Sequence, residues 1–310
     1  MDCASGKKQG GCAPDRSHQR AGREGESFET LVVPRGEPFS LEHTLLSGQT
    51  FRWRKDDGGF VGVVSGNVLW LEQRRNRLLY RSLPGKVDPS ELRTYLGLDA
   101  ASNQALRSLP GDPVLGAAMR NFAGMRVLRQ DPWETLVSFI ISSNNNIVRI
   151  KRCIESLCRT FGHEIRGALG CYAFPSPAAL AEASPDCLQQ LCNLGYRHTY
   201  VRETAREVAR SPGLLSDIAR LSYLHARTEL MRLPGVGPKV ADCVLLYSMG
   251  KYEAFPVDTW VRKVMQRTYF KDQRVPDSAI RSFAADHFGP FAGYAQLYLF
   301  HSAREVWNRR

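Results

Sequence analysis

The segment LPGVGPKVADC, residues 233–243, constrains the fold of this chain more than any other stretch of its sequence. The preceding residues 225–233, HARTELMRL, predict a helix, and Pro238 suits the first position of a second helix. Gly235 and Gly237 allow a sharp reversal between the two. The segment therefore predicts a helical hairpin whose backbone N–H groups, at the start of the second helix, suit a phosphate. A plain helix–helix turn without a ligand is the alternative.

Residues 28–83 have a different pattern, in which short apolar–polar alternations are separated by turn-forming residues. Five segments alternate in this way: FETLVV, TFRWR, FVGVV, VLWLE and RLLYRSL. Tight-turn signals lie between them, at Ser65-Gly66-Asn67 and at Arg75-Asn76. Short alternating segments joined by such turns are typical of an antiparallel meander.

Beyond residue 83 the sequence is helical, and many helix starts are marked by a capping residue followed by proline. These pairs are Asp88-Pro89, Asp131-Pro132, Ser176-Pro177 and Ser184-Pro185. We therefore predict an α+β protein with an antiparallel β-rich N-terminal domain and a mainly helical C-terminal domain. The predicted units are a disordered tail (1–26), the β-rich domain (27–127) and the helical domain (128–306).

The net charge of +11 suggests a polyanionic partner, and its distribution favours a shaped surface over a basic arm. Residues 1–26 carry five basic and four acidic side chains, so nearly all of the excess lies in the remaining chain. A hydrophobic content of 43% is sufficient for a core. No run of eighteen apolar residues is present, which predicts no membrane span.

The eight irregularly spaced cysteines are typical of reduced thiols in an intracellular protein. Their only suggestive pairs, Cys153/Cys158 and Cys187/Cys192, do not have the spacing of a usual zinc site, so we predict no metal. The N-terminus has no secretory signal. We expect a nuclear location and leave mitochondria open, since Lys7-Lys8 is too short for a nuclear signal and acidic residues argue against a transit peptide.

Lys239 occupies the first turn of the second hairpin helix, where the positive end of the helix dipole disfavours a charged ammonium. A neutral lysine is a nucleophile that can form a Schiff base. A lysine that binds phosphate is the alternative. Cys243 lies four residues on, on the same helical face, either as part of a site or as a small buried side chain.

Asp258, in the segment AFPVDTW, follows Lys239 by nineteen residues and is predicted to cap the helix that begins at Thr259. A carboxylate held opposite a lysine could also stabilise positive charge that develops on a sugar ring. Capping alone would explain this aspartate equally well.

Together, LPGVGPK and PVD at this distance resemble the helix-hairpin-helix DNA glycosylase superfamily. Four further segments narrow the resemblance to the eukaryotic-type 8-oxoguanine DNA glycosylase/AP lyases, over residues 28–303: SGQTFRW, LRQDPWETLVSFIISSNNNIVRI, LGYR and GYAQLYLF. No cysteine cluster that could hold an iron–sulfur centre follows Asp258. This distinguishes the chain from the thymine-glycol and adenine-mismatch branches.

The resemblance implies that Lys239 attacks C1′ of the damaged nucleotide and that Asp258 supports an oxocarbenium-like transition state. The resulting imine permits β-elimination of the 3′ phosphate. It further implies a pocket for the flipped base. Phe300 would stack on the base, Gln296 would meet its Watson–Crick edge, and Cys243 would lie on its other face. Pro256 would line the same pocket.

The resemblance assigns Gly48 to lesion recognition, because its carbonyl can accept the proton that 8-oxoguanine carries on N7. Guanine has a bare acceptor there, and the unmade hydrogen bond would cost about 1–3 kcal/mol. Glycine allows the backbone to approach closely. A simple turn glycine between strands is the alternative.

The segment SSNNN is a poor helix former and predicts a loop. The resemblance implies that Asn144, Arg149 and Arg197 read the cytosine left opposite the lesion, with guanidinium donors for O2 and N3 and an amide for N4. Tyr196 would wedge into the base stack. A solvated charge is the alternative for Arg197.

One residue departs from the family pattern. The family usually has a phosphate-binding histidine two residues after the aspartate, where this chain has Trp260. Indole donates one N–H and carries no charge. Either the phosphate is held less tightly, or a neighbour such as Arg262 contributes.

We therefore predict a monomeric bifunctional glycosylase/lyase that removes 8-oxoguanine opposite cytosine from double-stranded DNA without a metal or redox cofactor. Two other classes remain open. A non-catalytic helix-hairpin-helix module would bind DNA without needing Lys239 and Asp258. A monofunctional glycosylase would keep the aspartate and lack the lysine.

Overall fold

A computed structural model describes residues 28–34 and 37–307. Its N-terminal part is a five-stranded antiparallel sheet in the order β1-β5-β4-β3-β2. The strands are β1 (Glu29–Val32), β2 (Trp53–Asp56), β3 (Gly59–Val64), β4 (Asn67–Arg74) and β5 (Arg77–Leu83). Strands β2 to β5 form a meander as predicted, whereas β1, which was predicted to be part of it, pairs with β5 at the opposite edge and not with β2. The predicted disordered tail lies outside the described residues.

Positive φ angles at Ser65 and Gly66 make the tight turn between β3 and β4. Trp53 of β2 packs over Gly62 of β3, where a β-carbon would lie 2.4 Å from the indole. The same indole donates a 2.7 Å hydrogen bond to the hydroxyl of Tyr95. The sheet is therefore covered by side chains from the helical segments that follow it.

Fourteen α-helices are described, and the four predicted capping pairs each precede a helical segment. They are α1 (Leu41–Leu46), α2 (Pro89–Tyr95), α3 (Ala100–Arg107), α4 (Pro113–Asn121), α5 (Pro132–Ser142), α6 (Ile147–Phe161), α7 (Pro177–Ala181), α8 (Arg197–Arg210), α9 (Leu214–Arg220), α10 (Tyr223–Leu230), α11 (Pro238–Ser248), α12 (Thr259–Tyr269), α13 (Asp277–Phe288) and α14 (Ala292–Trp307).

Two helical segments differ from the prediction. The helix expected over residues 225–233 is observed as α10 and ends at Leu230, before a turn that precedes Pro234. A residue before proline avoids the helical conformation, so the helix cannot include Leu233. The helix predicted after Ser184 forms, but it is π-helical over Cys187–Leu191.

The larger core is shared by both parts of the chain. It is centred on the C-terminal helices and includes Phe51, Leu115 and Met125 from the N-terminal side of residue 127. Helix α14 packs on α4, and Tyr298 donates a 2.9 Å hydrogen bond to the Met125 carbonyl. The α+β class is confirmed, while the division at residue 127 stays a prediction. Among the described helices, none has the length and apolar character to cross a membrane.

Candidate active site and DNA-binding surface

The helical hairpin forms as predicted, between α10 and α11. Gly235 has φ +75°, and a β-carbon there would lie 2.6 Å from Cβ of Tyr200 on α8. Thr204, also on α8, donates a 2.8 Å hydrogen bond to the Pro234 carbonyl. Gly237 is the N-cap of α11 and is extended, and no side chain caps this helix end. The hairpin is therefore held against α8, and the first-turn N–H groups of α11 lie at its tip.

Lys239 projects from the first turn of α11 and is half-buried. Its Nζ donates a 2.8 Å hydrogen bond to Oγ of Ser142 and lies 4.9 Å from the Phe139 ring centroid. The Ser142 hydroxyl in turn donates to the Phe139 carbonyl at 2.7 Å. Ser142 was not predicted as a site residue, although it opens the SSNNN segment that the sequence marks as unusual.

Asp258 caps α12, as predicted, because its Oδ1 accepts a 2.7 Å hydrogen bond from the Val261 N–H. Burial raises the pKa of Asp258, although the Val261 N–H and the Lys239 charge both favour the carboxylate. The Lys239 charge also acts on the Cys243 thiol, whose pKa burial raises to about 12. The two predicted catalytic groups and Cys243 therefore share one site, in which the thiol is neutral.

Gln296 is buried, and both ends of its amide are engaged. Its Nε2 donates to the Pro256 carbonyl at 3.1 Å, and its Oε1 accepts from the Tyr247 hydroxyl at 3.2 Å. The Tyr247 ring stacks on Phe139, the ring that Lys239 approaches. Tyr247 was not predicted as a site residue. It contacts both Gln296, the amide predicted to bind the base, and Phe139, the ring beside Lys239.

Gly48 lies beside Phe300. Phe300 follows Gln296 by one turn of α14. A β-carbon at Gly48 would lie 3.3 Å from Phe300 and 3.4 Å from Ile147, and φ at Gly48 is +96°, which favours glycine. The structure thus brings Gly48 from the β-rich part of the chain to the helical site. Its recognition role stays a prediction.

The residues predicted to face the opposite base surround the turn between α5 and α6. Asn144 is exposed with φ 50°, and Arg149 is exposed in the first turn of α6. Tyr196 is 54% exposed and stacks on the Arg197 guanidinium at 4.4 Å. Arg197 itself is buried, and its guanidinium donates to the Ser143 and Asn144 carbonyls. Arg149 is therefore accessible to a base, whereas Arg197 holds the turn.

Trp260 lies in the first turn of α12, with Nζ of Lys263 at 5.7 Å from its ring. Arg262, the neighbour considered for the phosphate, forms hydrogen bonds of 2.7 and 2.8 Å to both carboxylate oxygens of Asp277. The exposed Lys263 is therefore a better placed cation for a phosphate beside Trp260 than Arg262 is.

We predict that Trp260→His tightens DNA binding and steepens its salt dependence. A cationic imidazole would add one phosphate contact and change the log–log salt slope by up to about one unit. The gain in DNA affinity should increase as the pH falls through about 6.5, where an unperturbed histidine titrates. Affinity measured across salt and pH, beside single-turnover excision, tests this. If the substitution leaves the salt slope unchanged and slows excision, Trp260 forms part of the pocket wall instead.

The described residues contain no group of three or more His, Cys, Asp or Glu side chains arranged to hold a metal ion. The site consists of a hairpin that suits DNA phosphate, a lysine in its second helix, a nearby carboxylate and adjacent aromatic side chains. These are the features of a helix-hairpin-helix DNA glycosylase.

Two family models match the chain. The N-terminal domain of 8-oxoguanine DNA glycosylase matches residues 30–136, and the HhH-GPD superfamily of base excision DNA repair proteins matches residues 137–287.

Individual proteins agree with these matches. The probable N-glycosylase/DNA lyase of Methanothermobacter thermautotrophicus is 34% identical, over 88% of this chain and 96% of that protein. The N-glycosylase/DNA lyase OGG1 of Arabidopsis thaliana is 30% identical, over 86% and 80%. The Clostridium acetobutylicum 8-oxoguanine glycosylase/lyase, solved with double-stranded DNA containing cytosine opposite 8-oxoguanine, superposes with a TM-score of 0.79 at 33% identity, over 91% and 99%. The chain belongs to the 8-oxoguanine DNA glycosylase family.

Proposed function

We propose that this protein is a bifunctional glycosylase/AP lyase that excises 8-oxoguanine opposite cytosine and cleaves the strand by β-elimination. One observation carries the proposal. A lysine at the start of the second hairpin helix, Lys239, lies near a partly buried carboxylate, Asp258, and next to the aromatic ring of Phe139. Family membership supports the same reaction and double-stranded DNA as the partner.

The hairpin and the surface around Asn144 would hold the phosphate backbone and the gap, while the damaged nucleotide rotates out of the stack. Gly48, Gln296 and Phe300 would receive the base. Gln296 would then exchange its bonds to Pro256 and Tyr247 for bonds to the base edge. The amide of Gln296 is therefore already held by hydrogen bonds that the edge of a base can replace.

In the chemical step the Lys239 ammonium first gives up a proton, and its amine then attacks C1′ as the bond between C1′ and the base breaks; that electron pair leaves with the base. The Asp258 carboxylate stabilises the positive charge that develops on the sugar. One proton of Nζ passes to the departing base and the other to O4′ as the C1′–O4′ bond breaks and the sugar ring opens, which gives an imine between Nζ and C1′. Removal of a C2′ proton expels the 3′ phosphate. The hydroxyl of Ser142 and the ring of Phe139 direct Nζ before attack.

Incubation with lesion-containing duplex under borohydride tests the proposal. Reduction of the imine should leave the protein covalently attached to DNA with 8-oxoguanine opposite cytosine, and should do so much less with undamaged duplex. A helix-hairpin-helix binding module would bind both duplexes without base release. A monofunctional glycosylase would release the base without becoming attached. Either of these two results would contradict the proposal.

Arg149→Ala should reduce the preference for lesion opposite cytosine over lesion opposite adenine by about 1–3 kcal/mol, because an exposed guanidinium can donate to the cytosine edge. Thermal stability should change little. Arg197→Ala is the informative contrast, since it removes buried bonds to the Ser143 and Asn144 carbonyls and should lower stability as well. Single-turnover excision from both duplexes, beside thermal unfolding, measures these effects. Equal weakening of both duplexes by Arg149→Ala would assign this arginine to phosphate instead.

A further inference from the structure

The segment between α1 and β2 carries Gly48 and is held by hydrogen bonds to residues far away in the sequence. Gln49 is buried at its centre, where its Nε2 donates to the Thr44 and Arg126 carbonyls and its Oε1 accepts from the Leu128 N–H. Just beyond the segment, at the first residue of β2, Lys151 of α6 donates a 3.1 Å hydrogen bond to the Trp53 carbonyl. The conformation at Gly48 is therefore imposed by tertiary contacts.

Arg304 of α14 provides the restraint nearest to Gly48. Its Nη1 donates to the Ser47 carbonyl at 3.0 Å, and its Nη2 donates to the Leu46 carbonyl at 2.8 Å. These carbonyls belong to the two residues immediately before Gly48. Two bonds from a planar guanidinium restrict the orientation of the peptide planes more than a single donor can.

The same guanidinium also adjoins the pocket. Arg304 lies one helical turn after Phe300, and its Cζ is 5.6 Å from the centroid of that ring. A β-carbon at Gly48 would lie 2.8 Å from Arg304 Nη1, closer than β-carbons approach neighbouring atoms in real proteins. Arg304 thus contacts both Gly48, the residue expected to read the lesion, and Phe300, the ring expected to stack on it.

We propose that Arg304 is a positioning residue for damage recognition. By bonding the carbonyls of Leu46 and Ser47 and lying against Phe300, it directs the Gly48 carbonyl into the pocket and sets the space between Gly48 and Phe300. It acts through these two residues and does not contact the base. This inference rests on the proposed function and identifies what enforces its selectivity.

Two substitutions of Arg304 and two substrates test the inference. Arg304→Met keeps an unbranched side chain against Phe300 and removes both donors, while Arg304→Lys retains one donor. The first substrate is duplex with 8-oxoguanine opposite cytosine. The second is duplex with a preformed abasic site opposite cytosine, which contains no base to recognise. Lyase cleavage of the abasic site needs Lys239 and does not need the Gly48 carbonyl.

We expect Arg304→Met to slow single-turnover excision of 8-oxoguanine by about 10- to 100-fold, the cost of a misdirected hydrogen bond. Cleavage and borohydride attachment at the abasic site should remain close to wild type. The affinity ratio between lesion and undamaged duplex should decrease together with excision, and Arg304→Lys should be intermediate. Arg120→Met, which removes an exposed arginine on α4, should leave all of these values unchanged.

Proportional losses on both substrates, accompanied by a lower melting temperature, would show that Arg304 is only structural and would overturn the inference. Unchanged excision by Arg304→Met would overturn it equally. A wild-type protein that releases no 8-oxoguanine would contradict the proposed function itself, and the wild-type reaction reports this before any variant is compared.

Discussion

Substitution of Lys239 by glutamine abolishes base release and borohydride attachment, while duplex binding survives. Glutamine is similar in length but has no nucleophilic amine, so the attack on C1′ cannot occur. Affinity depends mainly on phosphate contacts distributed over the surface, and these remain. Single-turnover excision and gel-shift affinity, measured on the same preparation, provide the comparison.

The matched control is Lys86→Gln, which removes an exposed lysine that pairs with Glu29 on the β-rich part of the chain. This variant should excise and become attached like the wild type. Excision by the Lys239 variant at the wild-type rate would show that another group is the nucleophile. Loss of binding together with excision would indicate instead that Lys239 serves as a phosphate contact, the alternative that its position in the hairpin helix leaves open.

Asp258→Asn should slow excision by about 10²–10³-fold, because it removes the charge that stabilises the developing cation on the sugar. Asparagine is as good a helix cap as aspartate, so the hydrogen bond from Val261 and the melting temperature should change little. The substitution thus separates the two functions that this position combines. A large drop in melting temperature with a small drop in the excision rate would show that Asp258 acts only as a helix cap.

The pH dependence provides a second test of Asp258. Burial raises the pKa of this carboxyl, and the reaction requires its ionised form. Wild-type excision should therefore fall as the pH decreases, and it should begin to fall at a higher pH than the ordinary range of aspartate. The asparagine variant should lack this step. Asp99→Asn, which exchanges the cap of α3 and leaves its hydrogen bond to Ser102 possible, should retain the wild-type pH profile.

The turn that ends α5 connects the two halves of the site. Ser142 accepts the hydrogen bond from Lys239, and the next two carbonyls, of Ser143 and Asn144, accept those from Arg197. The residues expected to fill the gap in the duplex and the expected nucleophile are therefore anchored to consecutive positions.

Local rules predicted the sheet and several helix starts of this protein, although they missed α1, which lies in the segment expected to form strands. Alternation with tight turns predicted the sheet, and capping residues followed by proline predicted the starts of the helices, because both depend on neighbours within a few residues. The hairpin, its lysine and the capping role of Asp258 were also evident from short segments. Each of these features is decided by backbone geometry that the adjacent side chains dictate.

Long-range packing determined the rest. No local pattern shows that Arg304 holds the segment before Gly48, that Ser142 receives Lys239, or that Tyr247 occupies the amide of Gln296. These partners are separated by 257, 97 and 49 positions. Similarly, an arginine beside a tyrosine gives no sign of burial, and only the packed turn shows that the donors of Arg197 serve the backbone. Hydrogen-bond partners of this kind depend on the relative placement of whole helices, which the common core establishes.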